Sequence, residues 1–220
     1  NAGIYKMDLK SQFRCDGSDG YLAWLDNVLG IRETANYELE NNNYKFRVVD
    51  DPNELRNIIL KENEKNNKSR LVAGYCWNWI KEGKNKSDIY DIRIPEFDFK
   101  MSWNLGNTNT YAIDSGSVNE MGCIHTVQGL EFDYIGVIIG DDLRYEDDHV
   151  ITDYTKRAST DQSLKGIKKI EKEQGKEAAH KIADSIIRNT YKTLMTRGMK
   201  GCYIFCTDLA LAKYFKKRLN

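Results

Sequence analysis

The stretch Tyr134-Ile-Gly-Val-Ile-Ile139 is the clearest β-strand signal in the chain, because it is almost continuously apolar and is bounded by turn signals. A strand of that character is typical of a parallel sheet whose two faces are both covered by helices. Four other apolar runs, at 45–49, 70–75, 122–125 and 201–206, also predict strands. Helical segments fall between these runs, and the alternation predicts an α/β domain with a mostly parallel sheet flanked by helices.

Capping residues mark three helix starts. Asp51-Pro-Asn-Glu54 combines an acidic cap, a proline at the first helical position and a glutamate, and it predicts a helix that runs to about residue 64. Ser18-Asp19 precedes an amphipathic stretch that stops at Gly30, and Thr207-Asp208 precedes the last helix. A fourth helical segment, at about 160–196, is highly charged, which is typical of a solvated face.

The composition is that of a folded, water-soluble chain. Of its 220 residues, 40% are apolar and 30% charged, and no uncharged apolar run approaches the length of a membrane span. The 33 basic and 33 acidic residues cancel, so any binding of nucleic acid must be local. Five scattered cysteines and three histidines, without a C-x-x-C pair, argue against disulfides and a zinc site and favour the reducing cytoplasm.

Two regions have weaker signals. The stretch at about 77–118 contains short β-like pieces at 91–95, 103–105 and 110–113, separated by glycine, asparagine and serine, and it predicts a β-rich insertion on the α/β core. Acidic residues at 141–142 and 146–148 lack the spacing of a calcium-binding loop and predict a solvated loop.

One segment between predicted strands carries residues suited to a nucleotide. Cys123-Ile-His-Thr-Val-Gln-Gly-Leu-Glu-Phe-Asp133 leaves one predicted strand and enters the clearest one. Gly129 lets a backbone approach a ligand closely, and the Glu131 carboxylate can accept hydrogen bonds from ribose hydroxyls. An ordinary turn with a surface glutamate explains the same spacing. In an α/β sheet the ligand crevice lies at the carboxyl ends of the strands, so we expect the site there.

Two other segments carry residues suited to phosphate. Thr193-Leu-Met-Thr-Arg-Gly-Met199 ends a predicted helix with Arg197, whose planar guanidinium fits phosphate oxygens and which we expect to lie outside the core. A helix-terminal cation that meets the helix dipole is the alternative interpretation. Leu9-Lys-Ser-Gln-Phe-Arg-Cys15 delivers Gln12 and Arg14 to a loop near the start of the chain.

In this order the three segments resemble the second RecA-like motor domain of superfamily 1 DNA and RNA helicases, most closely an uncharacterised bacterial branch related to Schlafen-type helicase domains. Leu9-x-x-Gln-Phe-Arg14 looks like motif IV, Cys123-x-His-x-x-Gln-Gly-Leu-Glu-Phe132 looks like motif V, and Leu194-Met-Thr-Arg197 looks like motif VI. The resemblance implies a RecA-like fold that covers residues 1–220 as one domain. The insertion at 77–118 matches no motor-domain motif.

The resemblance also implies roles for individual residues. Arg14 and Arg197 would be catalytic arginine fingers that stabilise charge on the γ-phosphate of ATP. The implied nucleotide-binding residues are Gln12, Gln128, Gly129 and Glu131. His125 and Thr126 would contact the backbone of single-stranded DNA or RNA.

Two features limit what the chain is expected to do alone. It contains no G-x-x-x-x-G-K-[ST] phosphate-binding loop, so the resemblance implies that ATP with Mg²⁺ is held mainly by a first RecA-like domain, expected N-terminal to this sequence. The isolated chain is therefore predicted not to hydrolyse ATP, to lack a metal site of its own and to have no membrane partner. Cys123, Gln128 and Gly198 stand where threonine, lysine and alanine are commoner in motifs V and VI.

Two other function classes fit parts of the sequence. A metal-dependent nuclease would use the Asp98-x-Lys100 step with Asp88 and Asp91 upstream, although an alternating surface strand explains the same pattern. A non-catalytic nucleic-acid-binding module would stack bases on aromatic side chains, which ordinary core packing also explains. Its aromatic set is Tyr75, Trp77, Trp79 and Trp103. A phosphate-binding loop encoded just upstream of Asn1 would separate the motor domain from both alternatives.

Overall fold

A parallel sheet of five strands forms the centre of the structure, a computed structural model that describes residues 19–39, 44–83, 86, 88–104 and 110–219. The strands are β1 (Lys45–Val48), β2 (Ser69–Ala73), β3 (Ile92–Ile94), β4 (Phe99–Met101), β5 (Met121–Gly122), β6 (Phe132–Ile139), β7 (Leu143–Glu146), β8 (His149–Thr152) and β9 (Gly198–Cys206). The helices are α1 (Asp19–Val28), α2 (Pro52–Asn63), α3 (Ile124–Val127), α4 (Ile167–Gln174), α5 (Lys176–Met195) and α6 (Leu209–Lys217). The central sheet has the order β1-β9-β6-β2-β5, and two separate hairpins pair β3 with β4 and β7 with β8.

The predicted α/β class with a mostly parallel sheet is confirmed. β6 lies in the middle of the sheet and pairs in parallel with β9 and β2. Its side chains alternate between two cores, since Ile135, Val137 and Ile139 contact one hydrophobic cluster and Ile138 contacts the other. Both faces of β6 are therefore covered, which is why its sequence is almost continuously apolar.

Helices cover both faces of the sheet. On one face, α1, α5 and α6 contribute Trp24, Tyr191 and Phe215 to the core. On the other face, α2 contributes Leu55 and Ile59, and the insertion packs beside it. The charged segment at 160–196 is largely helical as predicted, because α4 and α5 lie within it.

The predicted helix caps are confirmed where the structure describes them. Asp51 accepts a hydrogen bond from the Asn53 N–H, and Pro52 lies in the first turn of α2. Asp208 accepts one from the Leu211 N–H at 2.6 Å, at the start of α6. Each carboxylate satisfies an N–H that the first turn of a helix leaves unpaired, which fixes where the helix begins.

Two local predictions are wrong. The run at 122–125 is a strand only as far as Gly122, and Ile124 begins α3, because Cys123 and Thr126 form a capping box. In the insertion, β3 and β4 form a hairpin, whereas residues 110–113 form a turn rather than a strand. Both errors fall on short segments, where few residues carry the periodicity that separates strand from helix.

The acidic stretch after β6 contains a hairpin where we expected a solvated loop. β7 and β8 pair in antiparallel register. The two residues that connect them, Asp147 and Asp148, have positive φ values of 48° and 61°. A two-residue turn with positive φ matches the twist of antiparallel strands, and aspartate adopts that conformation more readily than most residues.

A buried arginine holds the insertion against the amino end of the sheet. Arg70, in β2, has 0% of its surface exposed and donates hydrogen bonds to the carbonyls of Tyr111, Ala112 and Asp114 at 3.0, 3.1 and 2.8 Å. It also donates to the Asn63 side chain at the end of α2, at 2.8 Å. Burial lowers the pKa of the Arg70 guanidinium from its ordinary value. One side chain thus joins β2 and the end of α2 to a segment more than 40 residues away in the sequence.

We expect Arg70→Met to lower the free energy of unfolding by about 3 kcal/mol or more, because several buried carbonyls lose their donor at once. Urea unfolding of the purified chain measures the change. Arg47→Met is the matched control, since Arg47 pairs with Glu54 at the surface and such pairs contribute about 1 kcal/mol or less. Equal losses in the two variants would contradict the structural role of Arg70.

Candidate functional site

The segment at 123–131 joins the two ends of the sheet. β5 ends at Gly122, which lies level with Val137 of β6 because both pair with Val72 of β2. β6 begins at Phe132. The segment therefore returns from the carboxyl half of the sheet to the amino end of β6, a distance of roughly 17 Å at the rise of a strand.

Gln128, Gly129 and Glu131 lie in the second half of this segment, and all three are exposed. The φ of Gly129 is 86°, and a Cβ there would meet nothing within 4 Å, so the backbone conformation rather than lack of space favours glycine. Gln128 ends α3 by donating its N–H to the Ile124 carbonyl. This turn therefore presents an amide, a backbone segment and a carboxylate at one place on the surface.

Arg197 lies beside this turn and is buried, with 3% of its surface exposed. Its Nη1 donates to the Leu130 carbonyl at 3.2 Å and its Nε to the Thr193 carbonyl at 3.0 Å. Its own carbonyl accepts the Phe132 N–H at 2.9 Å. The expectation that Arg197 lies outside the core is wrong, because two backbone carbonyls accept hydrogen bonds from its guanidinium in the interior.

We call Gln128, Gly129, Glu131 and Arg197 the amino-end cluster, because they lie where β6 and β9 begin. The expectation that the chemistry lies at the carboxyl ends of the strands is wrong for these residues. The reason is local: α3 is a single turn, and the chain that follows it crosses back over the sheet. Only the first half of the 123–131 segment lies toward the carboxyl end.

His125 and Thr126 lie in that first half and differ in exposure. The His125 side chain is 44% exposed, and its Nε2 lies 3.5 Å from Oδ1 of Asp161. Thr126 is 6% exposed, and its hydroxyl donates to Oδ1 of Asn104 at 2.8 Å. His125 therefore lies at the surface, as a contact to nucleic acid requires. Thr126 instead links α3 to the insertion, which differs from the surface position that we expected for it.

A buried ion-pair network lies at the carboxyl end of the sheet. Arg157 pairs with Asp142 at 2.9 Å and with Asp161 at 2.6 Å, and all three side chains are at most 1% exposed. Asp142 also accepts a hydrogen bond from the Tyr191 hydroxyl, which itself accepts the Gly140 N–H at 3.0 Å. Sequence reasoning missed this network because it assigned residues 141–142 to a solvated loop. No local signal reveals it, since the cation that neutralises Asp142 lies in another segment.

Pairing outweighs burial for the charges of this network. Burial alone would raise the pKa of the Asp161 carboxyl, but Arg157 and the hydrogen bonds from Ser163 hold that pKa below its ordinary value. Burial lowers the pKa of the Arg157 guanidinium, but Asp142 and Asp161 raise it by more. Asp161 and Arg157 are therefore both charged in the folded protein at neutral pH.

The acids of the nuclease alternative make structural contacts. Asp91 accepts the Ile80 N–H at 2.7 Å and the Trp103 N–H at 2.9 Å. Asp98, with a positive φ of 45°, ends the short 3₁₀ helix Pro95–Phe97. Within the described ranges, no group of three or more histidine, cysteine, aspartate or glutamate side chains is arranged to hold a metal ion. Asp91 therefore braces the insertion.

The aromatic set of the binding-module alternative packs largely against itself. Trp103 stacks on Tyr75 at a ring-centroid distance of 5.4 Å and on Trp79 at 6.1 Å. Its Nε1 donates to the Trp77 carbonyl at 3.1 Å. Core packing therefore accounts for Tyr75, Trp79 and Trp103, as the alternative interpretation held.

Gln12 and Arg14 lie outside the residues that the structure describes, so their positions relative to the amino-end cluster stay predictions. In the described part of the chain, no helix is long and apolar enough to cross a membrane.

The family model described as Schlafen group 3, DNA/RNA helicase domain, matches residues 1–208. The chain belongs to this family. The match contains the whole amino-end cluster, the Arg157 network and the segment with Gln12 and Arg14. Membership of the Schlafen helicase-domain family indicates a helicase-related, nucleotide-binding function.

Among curated proteins, this Schlafen helicase domain is 22% identical over 217 residues to Uncharacterized protein YPL245W of Saccharomyces cerevisiae. The alignment covers 91% of the chain and 45% of the yeast protein. The Schlafen domain thus spans less than half the length of this relative. No solved structure matches the chain.

We expect Asp161→Asn to lower the free energy of unfolding of the Schlafen domain by about 3 kcal/mol at pH 7. The reason is that the buried Arg157 guanidinium loses one of its two carboxylate partners. The pKa of Asp161 is lower in the folded than in the unfolded chain, so this stabilisation is complete above about pH 4, the unfolded value, and is lost as pH falls below it. The difference between wild type and variant should therefore shrink in acid. Urea unfolding at several pH values measures it.

Glu146→Gln is the control for that experiment, since Glu146 pairs with Arg144 at the surface. Its effect should stay below about 1 kcal/mol at every pH. A difference between wild type and Asp161→Asn that does not change between pH 7 and pH 3 would contradict the assigned ion pair.

Proposed function

We propose that the chain is the second RecA-like motor domain of an ATP-dependent superfamily 1 DNA or RNA helicase or translocase. The amino-end cluster carries this proposal, because a hydrogen bond to the Leu130 carbonyl holds the Arg197 guanidinium beside the turn with Gly129 and Glu131. A guanidinium fork, an exposed backbone turn and a carboxylate are groups that recognise the phosphates and ribose of a nucleotide. The proposed nucleotide is ATP with Mg²⁺.

Most contacts to ATP and all contacts to Mg²⁺ are assigned to a first RecA-like domain of the complete protein. This chain has no phosphate-binding loop sequence. It also spans 45% of its yeast relative, whose remaining length is sufficient for a further domain. In this arrangement Gln12, Gln128 and Glu131 contact the nucleotide from the second domain.

Arg197 and Arg14 are the proposed arginine fingers. Such residues stabilise the charge that spreads over the oxygens of a phosphoryl group in transfer. The hydrogen bonds of Arg197 to the Thr193 and Leu130 carbonyls orient its guanidinium before any ligand arrives. A charge that is already oriented needs no reorganisation during the reaction, which is the condition for strong electrostatic stabilisation.

Single-stranded DNA or RNA is the proposed ligand at the opposite end of the 123–131 segment, at His125. The His125 ring is partly exposed, and Asp161 lies within reach of its Nε2. Because this segment also carries Glu131, one short element lies between the two proposed ligands. Each ligand then changes the affinity for the other by the same factor.

The cytoplasm is the proposed location. The cysteines that the structure describes, Cys76, Cys123, Cys202 and Cys206, are all free thiols. Free, mostly buried thiols are typical of proteins in a reducing compartment.

In the complete protein, Arg197→Lys should lower kcat for ATP hydrolysis by about 10³, because an ammonium group does not reproduce the guanidinium fork. Arg188→Lys, in α5, is the matched control, since Arg188 is also largely buried and bonded to the Leu29 and Val150 carbonyls. Steady-state turnover and thermal unfolding are measured on the same samples. Wild-type turnover of the folded Arg197→Lys protein would remove the arginine-finger assignment.

Glu131→Gln and His125→Ala should have different effects, because one removes a proposed contact to ATP and the other a proposed contact to nucleic acid. Glu131→Gln removes the charged acceptor for ribose, so the KM for ATP should rise about 10-fold or more. His125→Ala should leave that KM unchanged without nucleic acid and should reduce the stimulation of turnover by single strands. The measurement is ATP turnover with and without single-stranded DNA or RNA at a fixed salt concentration.

Glu173→Gln, on the exposed face of α4, is the control for both variants. If neither polymer changes the turnover of the unmodified protein, the translocase part of the proposal fails and a nucleotide switch remains.

A further inference from the structure

A cavity of about 730 Å³ opens at the carboxyl ends of β2, β6 and β9, at the opposite end of the sheet from Arg197. Its walls are the residues that follow these strands, the β3–β4 hairpin of the insertion, and the stretch at 155–158. Neither His125 nor any residue of the amino-end cluster lines it. A volume of several hundred Å³ is typical of pockets for small ligands and cofactors.

Aromatic side chains form part of this cavity. Phe205, near the end of β9, meets Phe97 edge to face at a ring-centroid distance of 5.3 Å. Trp77 also lines the cavity, and its Nε1 donates to the Arg93 carbonyl at 3.2 Å, which fixes the indole against the hairpin. Flat aromatic faces are the groups on which proteins stack nucleobases.

Two cations of the cavity have no ion-pair partner among the described residues. They are Arg93 and Lys156, which are exposed and both line the cavity. Arg157, which also lines the cavity, differs from them because Asp142 and Asp161 neutralise it. Lys156 is therefore the first group that an anion such as a phosphate would meet, and the Arg93 guanidinium, which lies over the Tyr90 ring at 5.9 Å from its centroid, is the second.

Two carboxylates also line the cavity. They belong to Glu96 and Asp141, and Asp141 accepts a hydrogen bond from the Thr207 hydroxyl at 2.7 Å. Their charge disfavours a ligand that is only an anion. A nucleotide of adenine, cytosine or guanine carries an amino group on its base as well as a phosphate, and carboxylates accept hydrogen bonds from such amino groups. Aromatic faces, cations and acids together therefore fit a nucleotide better than a simple anion.

The stretch at 155–158 also borders a second cavity, of about 700 Å³, which Asp161 and Lys165 line. Asp161 is the residue that lies next to His125. The two cavities therefore share a wall, and His125 lies beside a residue of the second cavity. A single strand extends over several nucleotides and can contact neighbouring sites, whereas a free mononucleotide fills one cavity.

We propose that the 730 Å³ cavity is a nucleotide-binding pocket that takes one nucleotide of a single strand, with the base against Trp77 and the phosphate at Arg93 and Lys156. This assignment rests on the single-stranded ligand of the proposed function and gives it a second site, which requires neither ATP nor its hydrolysis. A free mononucleotide shares the same chemistry, and a competition experiment separates the two sources.

The test is fluorescence anisotropy of the full-length protein with a labelled strand of about 15 adenylates or cytidylates, as DNA and as RNA, without ATP. The double variant Arg93→Glu/Lys156→Glu should weaken binding about 10-fold or more. It should also reduce the slope of log affinity against log salt by about 0.7 for each phosphate that the variant no longer neutralises. Lys181→Glu/Lys213→Glu changes the net charge equally at exposed positions outside the cavity and should have little effect.

Trp77→Leu tests the base, because it removes the aromatic face and keeps an apolar side chain. It should weaken binding about 10-fold at constant salt slope. Adenosine or cytidine monophosphate at millimolar concentration should not displace the strand. Displacement by micromolar mononucleotide, abolished in the same variants, would overturn the strand assignment in favour of a free nucleotide.

Equal affinities of the Arg93→Glu/Lys156→Glu and Lys181→Glu/Lys213→Glu variants would overturn the pocket, and an unchanged affinity of folded Trp77→Leu would overturn base stacking in it. The motor proposal fails on a different readout, ATP turnover. If the protein binds strands through this cavity but does not hydrolyse ATP, the pocket proposal stands and the motor proposal fails. If its ATP turnover responds to strands that bind elsewhere, the motor proposal stands and the pocket proposal fails.

Discussion

The ion pairs of Arg157 with Asp142 and Asp161 are the contact on which the arrangement of the carboxyl end depends. All three charges are buried, and removal of one partner from such a set costs about 3–5 kcal/mol, a large share of the stability of a typical domain. Asp142 follows the central strand, and Asp161 lies next to His125. The ion pairs therefore fix the loop after β6 relative to the surface proposed for nucleic acid.

The same network continues into α5 and so toward the other end of the sheet. Tyr191 donates to Asp142 and lies in the helix whose last residue is Met195, two positions before Arg197. Packed helices move as rigid units. The His125 surface and the amino-end cluster are thus connected by two continuous paths, α5 and the 123–131 segment, and the proposed coupling of ligands has a physical route along each.

The features of the fold that could be predicted from the sequence are those that depend on residues close together in the chain. The apolar run of β6 and the caps at Asp51 and Asp208 depend on neighbouring residues, and all three are where we expected them. The burial of Arg197 and of Asp142 depends on partners from other segments, which a single sequence does not reveal. The motif segments could be located from their spacing, but the placement of His125 and Glu131 at opposite ends of the sheet follows from α3, which the sequence predicts to be strand.

Hydrogen bonds hold the 123–131 segment in both of its halves. The Thr126 hydroxyl accepts the Cys123 N–H at 3.4 Å and donates to Asn104, so the helical turn moves as a unit with the insertion. Gly129 has no side chain and nothing within 4 Å of where a Cβ would lie. The Leu130 N–H closes the turn around Gly129 by donating to the Val127 carbonyl at 3.0 Å. A displacement of α3 is therefore carried through this turn toward Glu131, and the insertion, through Asn104, is the anchor that opposes it.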